Sequence, residues 1–213
     1  MKKFQIFFVV LLCFLVCACK QKPLTTHTLI QQAAFYEIDS HLVAGNPKGR
    51  FTLVEFFDYR CHACADGYPA IQKLIAIDPQ VRIIYRELPF LGTVSTFAAR
   101  AALAAAFQGK YVKLHDALMA IGPGLDEPAV LYLAKKQGLN IQELQKDMYS
   151  NFVNAQLLEN KSLAVKLAIQ GTPVYLFAQT TWQKGKIVIG RANLLEGAQT
   201  LTALRDSLVD LNV

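Results

Sequence analysis

The chain has 213 residues, of which 53% are apolar and 18% charged. That balance excludes a disordered or fibrous protein and allows a sizeable core without disulfide staples. The formal net charge is +6, and the basic residues are scattered without a long run, which marks an ordinary solvated surface and argues against a nucleic-acid partner.

Met1, Lys2 and Lys3 make a short basic start, and residues 4–16 (FQIFFVVLLCFLV) are almost wholly apolar. The run is too short for a membrane-spanning helix of about 20 residues. It suits the hydrophobic part of a signal peptide covering residues 1–19. Val16, Cys17, Ala18 and Cys19 resemble a bacterial lipobox, which would make Cys19 the lipidated first residue of the mature protein. A plain signal peptide and an uncleaved anchor are the alternatives. Lys20, where an Asp would resemble an inner-membrane address, resembles an outer-membrane one.

Residues 20–44 read as a polar tether or N-terminal extension with a weakly helical patch at 29–36. Asn46, Pro47, Lys48 and Gly49 are turn chemistry. Residues 51–57 (FTLVEFF) predict a buried central strand. A helix is predicted over 63–76, with Pro69 as a kink, and a second strand over 80–88. A strand–helix–strand unit of this size implies parallel strands.

Residues 93–170 carry helical patterns alone: 98–107, 110–121 closed by Gly122, Pro123 and Gly124, a helix capped by Asp126 and ended by Gly138, one capped by Asn140 with Glu143, and 152–169. Strands follow at 174–177 and 187–189 around Gly185, then an amphipathic helix over 194–211. The chain thus divides into a βαβ part (45–92), a helical insertion (93–170) and a ββα part (171–213).

With Cys13 and Cys17 in the signal and Cys19 acylated, Cys61 and Cys64 remain of the five cysteines. Two cysteines three apart form a redox pair or half of a metal site. Cys61, His62, Ala63 and Cys64 fall just after a strand and at the start of a helix. Free N–H groups and the helix macrodipole there favour an anion, and the thiolate is the reactive form. His62, when it donates or is protonated, adds to this tuning. Stabilising the thiolate makes the disulfide more oxidising. Structural zinc needs four ligands, yet there is no second CxxC, and His27, His41 and His115 are scattered. Ala65 stands where c-type haem attachment would need a His. Asp58, Tyr59 and Arg60 read as local surface and framework, and Trp182 as a packing or loop residue.

Gly45, Asn46 and Pro47, then residues 54–64 (VEFFDYRCHAC), 85–89 (YRELP), and Gly171, Thr172 and Pro173 together resemble the DsbA-like family of thiol–disulfide oxidoreductases, over residues 45–211. The resemblance implies an α/β, thioredoxin-like fold with an inserted α-helical domain. It places the exposed nucleophile on Cys61, its buried partner on Cys64 and a cis proline on Pro173, with Thr172 beside it to hydrogen-bond an extended substrate. Glu55 falls where relatives carry a buried acid, which could move protons to and from Cys64; a solvent-facing carboxylate on an edge strand is the alternative. The function so implied is the introduction of disulfide bonds into unfolded or folding exported polypeptides. It needs no bound cofactor and uses a DsbB-like membrane oxidant, in the periplasm, on a lipid anchor. An isomerase or reductase of the same fold is the nearest rival, and residues 20–49 leave a homodimer open. A Cu(I)-binding chaperone using two soft thiolates and a non-enzymatic scaffold are more distant ones.

Overall fold

Residues 51–57 form a strand because every position except Glu55 is apolar, β-branched or aromatic, and all seven are buried. The structure is a computed structural model that describes residue 28 and residues 30–211. The predicted signal segment, with Cys13, Cys17 and the lipid site Cys19, and also His27, lies outside the described residues.

Strand β1 (Val43–Gly45), β2 (Phe51–Phe57), β3 (Val81–Glu87), β4 (Val174–Gln183) and β5 (Lys186–Glu196) make one sheet in the order β1-β3-β2-β4-β5. β2 and β3 are parallel, joined by helix α1 (His62–Ile77), and the other pairs are antiparallel. The β4–β5 turn places Lys184 and Gly185 both at positive φ (51° and 76°), the conformation of a two-residue hairpin turn whose twist matches its strands.

The insertion between β3 and β4 consists of α2 (Thr93–Ala105), α3 (Tyr111–Ile121), α4 (Glu127–Lys136), α5 (Ile141–Asp147) and α6 (Asn151–Lys166). Asp126, Asn140 and Ser150 each accept backbone N–H bonds at a helix start. The alanine-rich face of α2 is fully buried, which permits close packing against the neighbouring helices. The insertion, α1 and one sheet face share one apolar cluster.

The structure redraws several of the expected bounds: α2 begins at Thr93 and not at 98, and β4 runs on to Gln183. The last helix, α7, spans Leu201–Asp210 and is capped by Thr200; residues 194–196 instead extend β5, where Leu194 and Leu195 pair with Leu176 and Tyr175. Paired leucines before a helix mimic helical periodicity, and only the pairing separates the two. Residues 43–45 form an edge strand too short to stand out in sequence. The described part of the expected tether is packed, with Phe35, Tyr36 and Leu42 at 0% exposure. Ile30, Phe35 and Tyr36 cover the sheet face opposite α1, whereas Leu42 joins the cluster on the α1 side, and buried arginines of β3 hold the segment in place. Arg86 donates to the carbonyls of Ala34 (3.0 Å) and Glu37 (2.6 Å), and Arg82 to that of Tyr36 (3.0 Å).

Candidate active site

Cys61 is the N-cap of α1. Its sulfur accepts the N–H of Cys64 at 3.4 Å, and its thiol donates to the carbonyl of Thr172 at 3.2 Å. Both cysteines are free thiols; Cys61 is half-buried and Cys64 buried. The Thr172–Pro173 bond is cis, so the end of α6 and the start of β4 bring Thr172 across 111 residues of chain to Cys61. The Thr172 hydroxyl is buried without a hydrogen-bond partner. His62 is exposed at the first position of α1.

Beneath Cys64 the sheet carries a polar row. Glu55 in β2 is flanked in register by Tyr85 of β3 and Tyr175 of β4. Side chains directly opposite on neighbouring strands share a face, so one carboxylate sits between two tyrosines. Glu55 is 0% exposed, and neither its oxygens nor the two tyrosine hydroxyls have a partner within bonding distance. Burial pushes the Glu55 carboxyl up to about 8, with Tyr175 pulling slightly the other way. Burial, and then the charge of Glu55, push the Cys64 thiol far above its ordinary value. Both groups are therefore neutral at pH 7 in the dithiol form. Gly67 of α1 makes room for this row: a Cβ there would stand 2.8 Å from the Tyr175 hydroxyl oxygen.

Asp58 and Tyr59 are not surface residues. Asp58 is 2% exposed and accepts three backbone N–H bonds, from Arg60 (2.8 Å), Phe90 (3.0 Å) and Leu91 (3.0 Å). One carboxylate thus ties the turn before Cys61 to the loop after β3. Tyr59 is bonded to Nδ1 of His115 at 3.0 Å. His115 is itself buried and stacked on Tyr85, ring centroids 3.8 Å apart, and burial holds it down to about 3, a neutral imidazole. Tyr68 of α1 donates to Asp116. The turn at Gly122 packs against Ala65, and Arg60 donates to the Pro123 carbonyl at 3.4 Å.

Sequence reasoning missed Asp58, Tyr85, His115 and Tyr175. Strand register could have found the two tyrosines, since each pairs with the Glu55 position from a neighbouring strand. His115 carried no such signal, because its helix is fixed against the sheet by tertiary packing alone. Trp182 is exposed on the β4–β5 hairpin. Among the described residues no group of three or more His, Cys, Asp or Glu is arranged to hold a metal ion.

A family model, the DSBA-like thioredoxin domain, matches residues 52–208. A thioredoxin-like oxidoreductase from Silicibacter pomeroyi DSS-3 is 37% identical, with a TM-score of 0.74 over 85% of this chain and 97% of that one. The thiol-disulfide exchange protein alpha-DsbA2 from Wolbachia pipientis is 26% identical, with a TM-score of 0.73 over 87% and 95%. Among curated proteins, the Na(+)/H(+) antiporter NhaA 3 from Salinispora tropica is 27% identical over 139 residues, 64% of this chain. The chain spans about a fifth (21%) of the length of that relative.

Proposed function

From the premise that this chain belongs to the family of DSBA-like thioredoxin domains and is a thiol–disulfide oxidoreductase, we propose that it introduces disulfide bonds into exported polypeptides, with Cys61 as the nucleophilic sulfur and Cys64 as its partner. The observation that carries this reading is the cap: the Cys61 sulfur accepts the Cys64 N–H at the start of α1, where electron density on sulfur is favoured.

In the forward reaction a substrate thiolate attacks the Cys61 sulfur of the Cys61–Cys64 disulfide. The S–S bond breaks, Cys64 leaves with the electron pair, and a mixed disulfide forms. Burial makes a lone Cys64 thiolate unfavourable, and neutral Glu55 beneath it supplies the proton. A second substrate thiolate then attacks the substrate sulfur of the mixed disulfide, releasing oxidised substrate and leaving Cys61 as the thiolate. The cis-proline edge at Thr172 lies against the Cys61 sulfur and suits an extended substrate chain. His62, exposed between the cysteines, tunes the pair.

Reoxidation of the dithiol falls to a DsbB-like membrane oxidant. The apolar run at 4–16 and the Val16–Cys19 pattern support export and a lipid anchor on Cys19; radiolabelled palmitate that still enters a Cys19→Ser protein would rule the anchor out.

The deciding experiment is equilibration of the Cys61–Cys64 pair with glutathione buffers. A potential near about −120 mV supports the oxidase, and one near about −270 mV reassigns the protein to a reductive role. Cys61→Ser should abolish transfer, and Cys64→Ser should accumulate mixed disulfides. Full activity in the Cys61→Ser protein sinks the assignment.

A further inference from the structure

We propose that the tip of the β4–β5 hairpin docks on an anionic lipid bilayer and holds the Cys61 end of the domain turned away from it. This contact is separate from thiol–disulfide exchange and does not depend on it.

The hairpin overhangs the sheet. Pairing of β2 with β4 ends at Phe51 and Gln179, and the Arg50 carbonyl accepts the Thr180 N–H at 2.7 Å. Beyond that point β4 and β5 continue as a two-stranded ribbon through the pairs Thr181–Val188, Trp182–Ile187 and Gln183–Lys186 to the turn at Lys184 and Gly185. At about 3.4 Å per residue the turn stands roughly 15 Å beyond Thr180. Trp182 is 53% and Val188 39% exposed on this ribbon. Val188 pairs with Thr181, so it and Trp182 lie on opposite faces of the ribbon.

The same end of the sheet is basic. Lys184 and Lys186 are exposed at the turn, and the loop at residues 46–50 adds exposed Lys48 and Arg50. Buried Arg82 stands 5.7 Å from the centre of the Trp182 ring. The acids toward this end are Asp78, which closes α1 and accepts the Gln80 N–H at 2.9 Å, and Asp210 at the end of α7. Both terminate helices packed on the sheet, whereas Lys184 and Lys186 sit on the overhang.

An exposed indole flanked by lysines selects a bilayer as the occupant: the ring suits the headgroup level, and the ammonium groups reach lipid phosphates. The course of the chain agrees. Ile30 packs in one apolar cluster with Ile187 of the ribbon, and Gln31 donates to the Gly190 carbonyl of β5 at 3.2 Å. The chain from Cys19 to Ile30 can reach at most about 40 Å. A protein held through a lipid on Cys19, or through the apolar run before it, therefore keeps the hairpin within reach of the headgroups. Cys61 lies at the other end of β4, against Thr172, and Val174–Gln183 spans roughly 30 Å. Docking the tip thus turns the cysteines toward the solution from which polypeptides arrive. Screening over about 10 Å keeps the contact reversible.

The chain has a single tryptophan, so its fluorescence reports Trp182 alone. The full chain is combined with vesicles of phosphatidylcholine, alone or mixed with phosphatidylglycerol, and the emission maximum and the quenching by acrylamide are measured. Phosphatidylglycerol should shield Trp182 and shift its emission to the blue, and about 1 M salt, where the screening length falls to about 3 Å, should reverse both. In a Lys184→Gln, Lys186→Gln double variant the ratio of shielded to unshielded protein should fall about 25-fold, about fivefold for each lysine. Equal shielding on both kinds of vesicle overturns the proposal, as do shielding on neither and shielding that the variant retains. Shielding that grows with protein concentration in the absence of vesicles assigns the tip to a second copy of the chain, and equal shielding by polyglutamate assigns it to an acidic protein; either overturns the bilayer. The vesicle and salt arms use wild type alone, so they decide even if the variant does not fold. No step uses thiol chemistry, so failure of the oxidase reading and failure of this one are separable.

Discussion

Replacing Glu55 by Gln should remove the pH dependence of stability that this one carboxyl imposes. A glutamate with an ordinary value of 4.5 is raised to about 8 by complete burial. The unfolded chain therefore releases the Glu55 proton more readily than the folded one. Stability contributed by the neutral carboxyl is fully present below about pH 4.5, drains away as pH rises, and is gone above about pH 8. At about 1.36 kcal/mol per pH unit, the loss reaches roughly 3 kcal/mol by pH 7 and roughly 5 kcal/mol by pH 8. Gln has nearly the same shape and, like the neutral acid, leaves buried polar atoms without partners, but it does not titrate. Glu87, raised to about 7 by burial, acts in the same direction; it is present in both proteins and cancels in their difference. Urea unfolding of the two reduced proteins from about pH 4 to about pH 9 measures that difference. Near pH 4 the two should be within about 1 kcal/mol, and the Gln protein should gain steadily until about pH 8 and then hold its lead. A difference that stays flat with pH refutes the buried, neutral carboxyl, and a lead for wild type that grows with pH shows an ionised Glu55 stabilised by an unseen partner.

Two further predictions concern the support of the site. Asp58→Ala removes the acceptor for three N–H groups at 2.8–3.0 Å. Leaving a buried N–H without its acceptor costs about 1–3 kcal/mol, so the melting temperature should fall clearly; an unchanged melting temperature would show that other groups hold the Phe90 loop. Gly67→Ala drives a methyl group to within 2.8 Å of the Tyr175 hydroxyl oxygen, an overpacking that should destabilise by about 1–3 kcal/mol. Removing that oxygen by Tyr175→Phe should restore most of the loss, and a double-mutant cycle without coupling would place the clash elsewhere.

Much of the fold is legible in the chain because its signals are local. The FTLVEFF run, the Asp126 and Asn140 caps and the residues flanking the CHAC motif each act within a few positions. Features that failed to show depend on distant partners. The β1 strand exists because Val43 and Ala44 pair with Ile84 and Ile83 of β3. Residues 194–196 are strand because they meet Val174, Tyr175 and Leu176. The N-terminal segment folds onto the sheet because buried Arg82 and Arg86 need its carbonyls; in sequence those two arginines alternate as though they faced solvent.

The site divides in the same way. Cys61 and Cys64 are readable because a strand end and a helix start lie within a few residues of them. The buried polar layer beneath the motif is assembled from four elements: Glu55 from β2, Tyr85 from β3 with His115 of α3 stacked on it, and Tyr175 from β4. Two of these are nonetheless recoverable by a single physical step. Once β2 is taken as central and parallel to β3, pairing residue 51 with 81 forces Glu55 opposite Tyr85, and the antiparallel β4 brings Tyr175 to its other side. Neither tyrosine hydroxyl makes a well-formed hydrogen bond to the carboxylate, and the weak pull of Tyr175 is outweighed by burial. The row therefore keeps water from Glu55 while binding its carboxylate only weakly. That is the condition for holding its proton near neutral pH: a full hydrogen bond to the carboxylate would favour the charged form and remove the proton that the departing Cys64 sulfur requires.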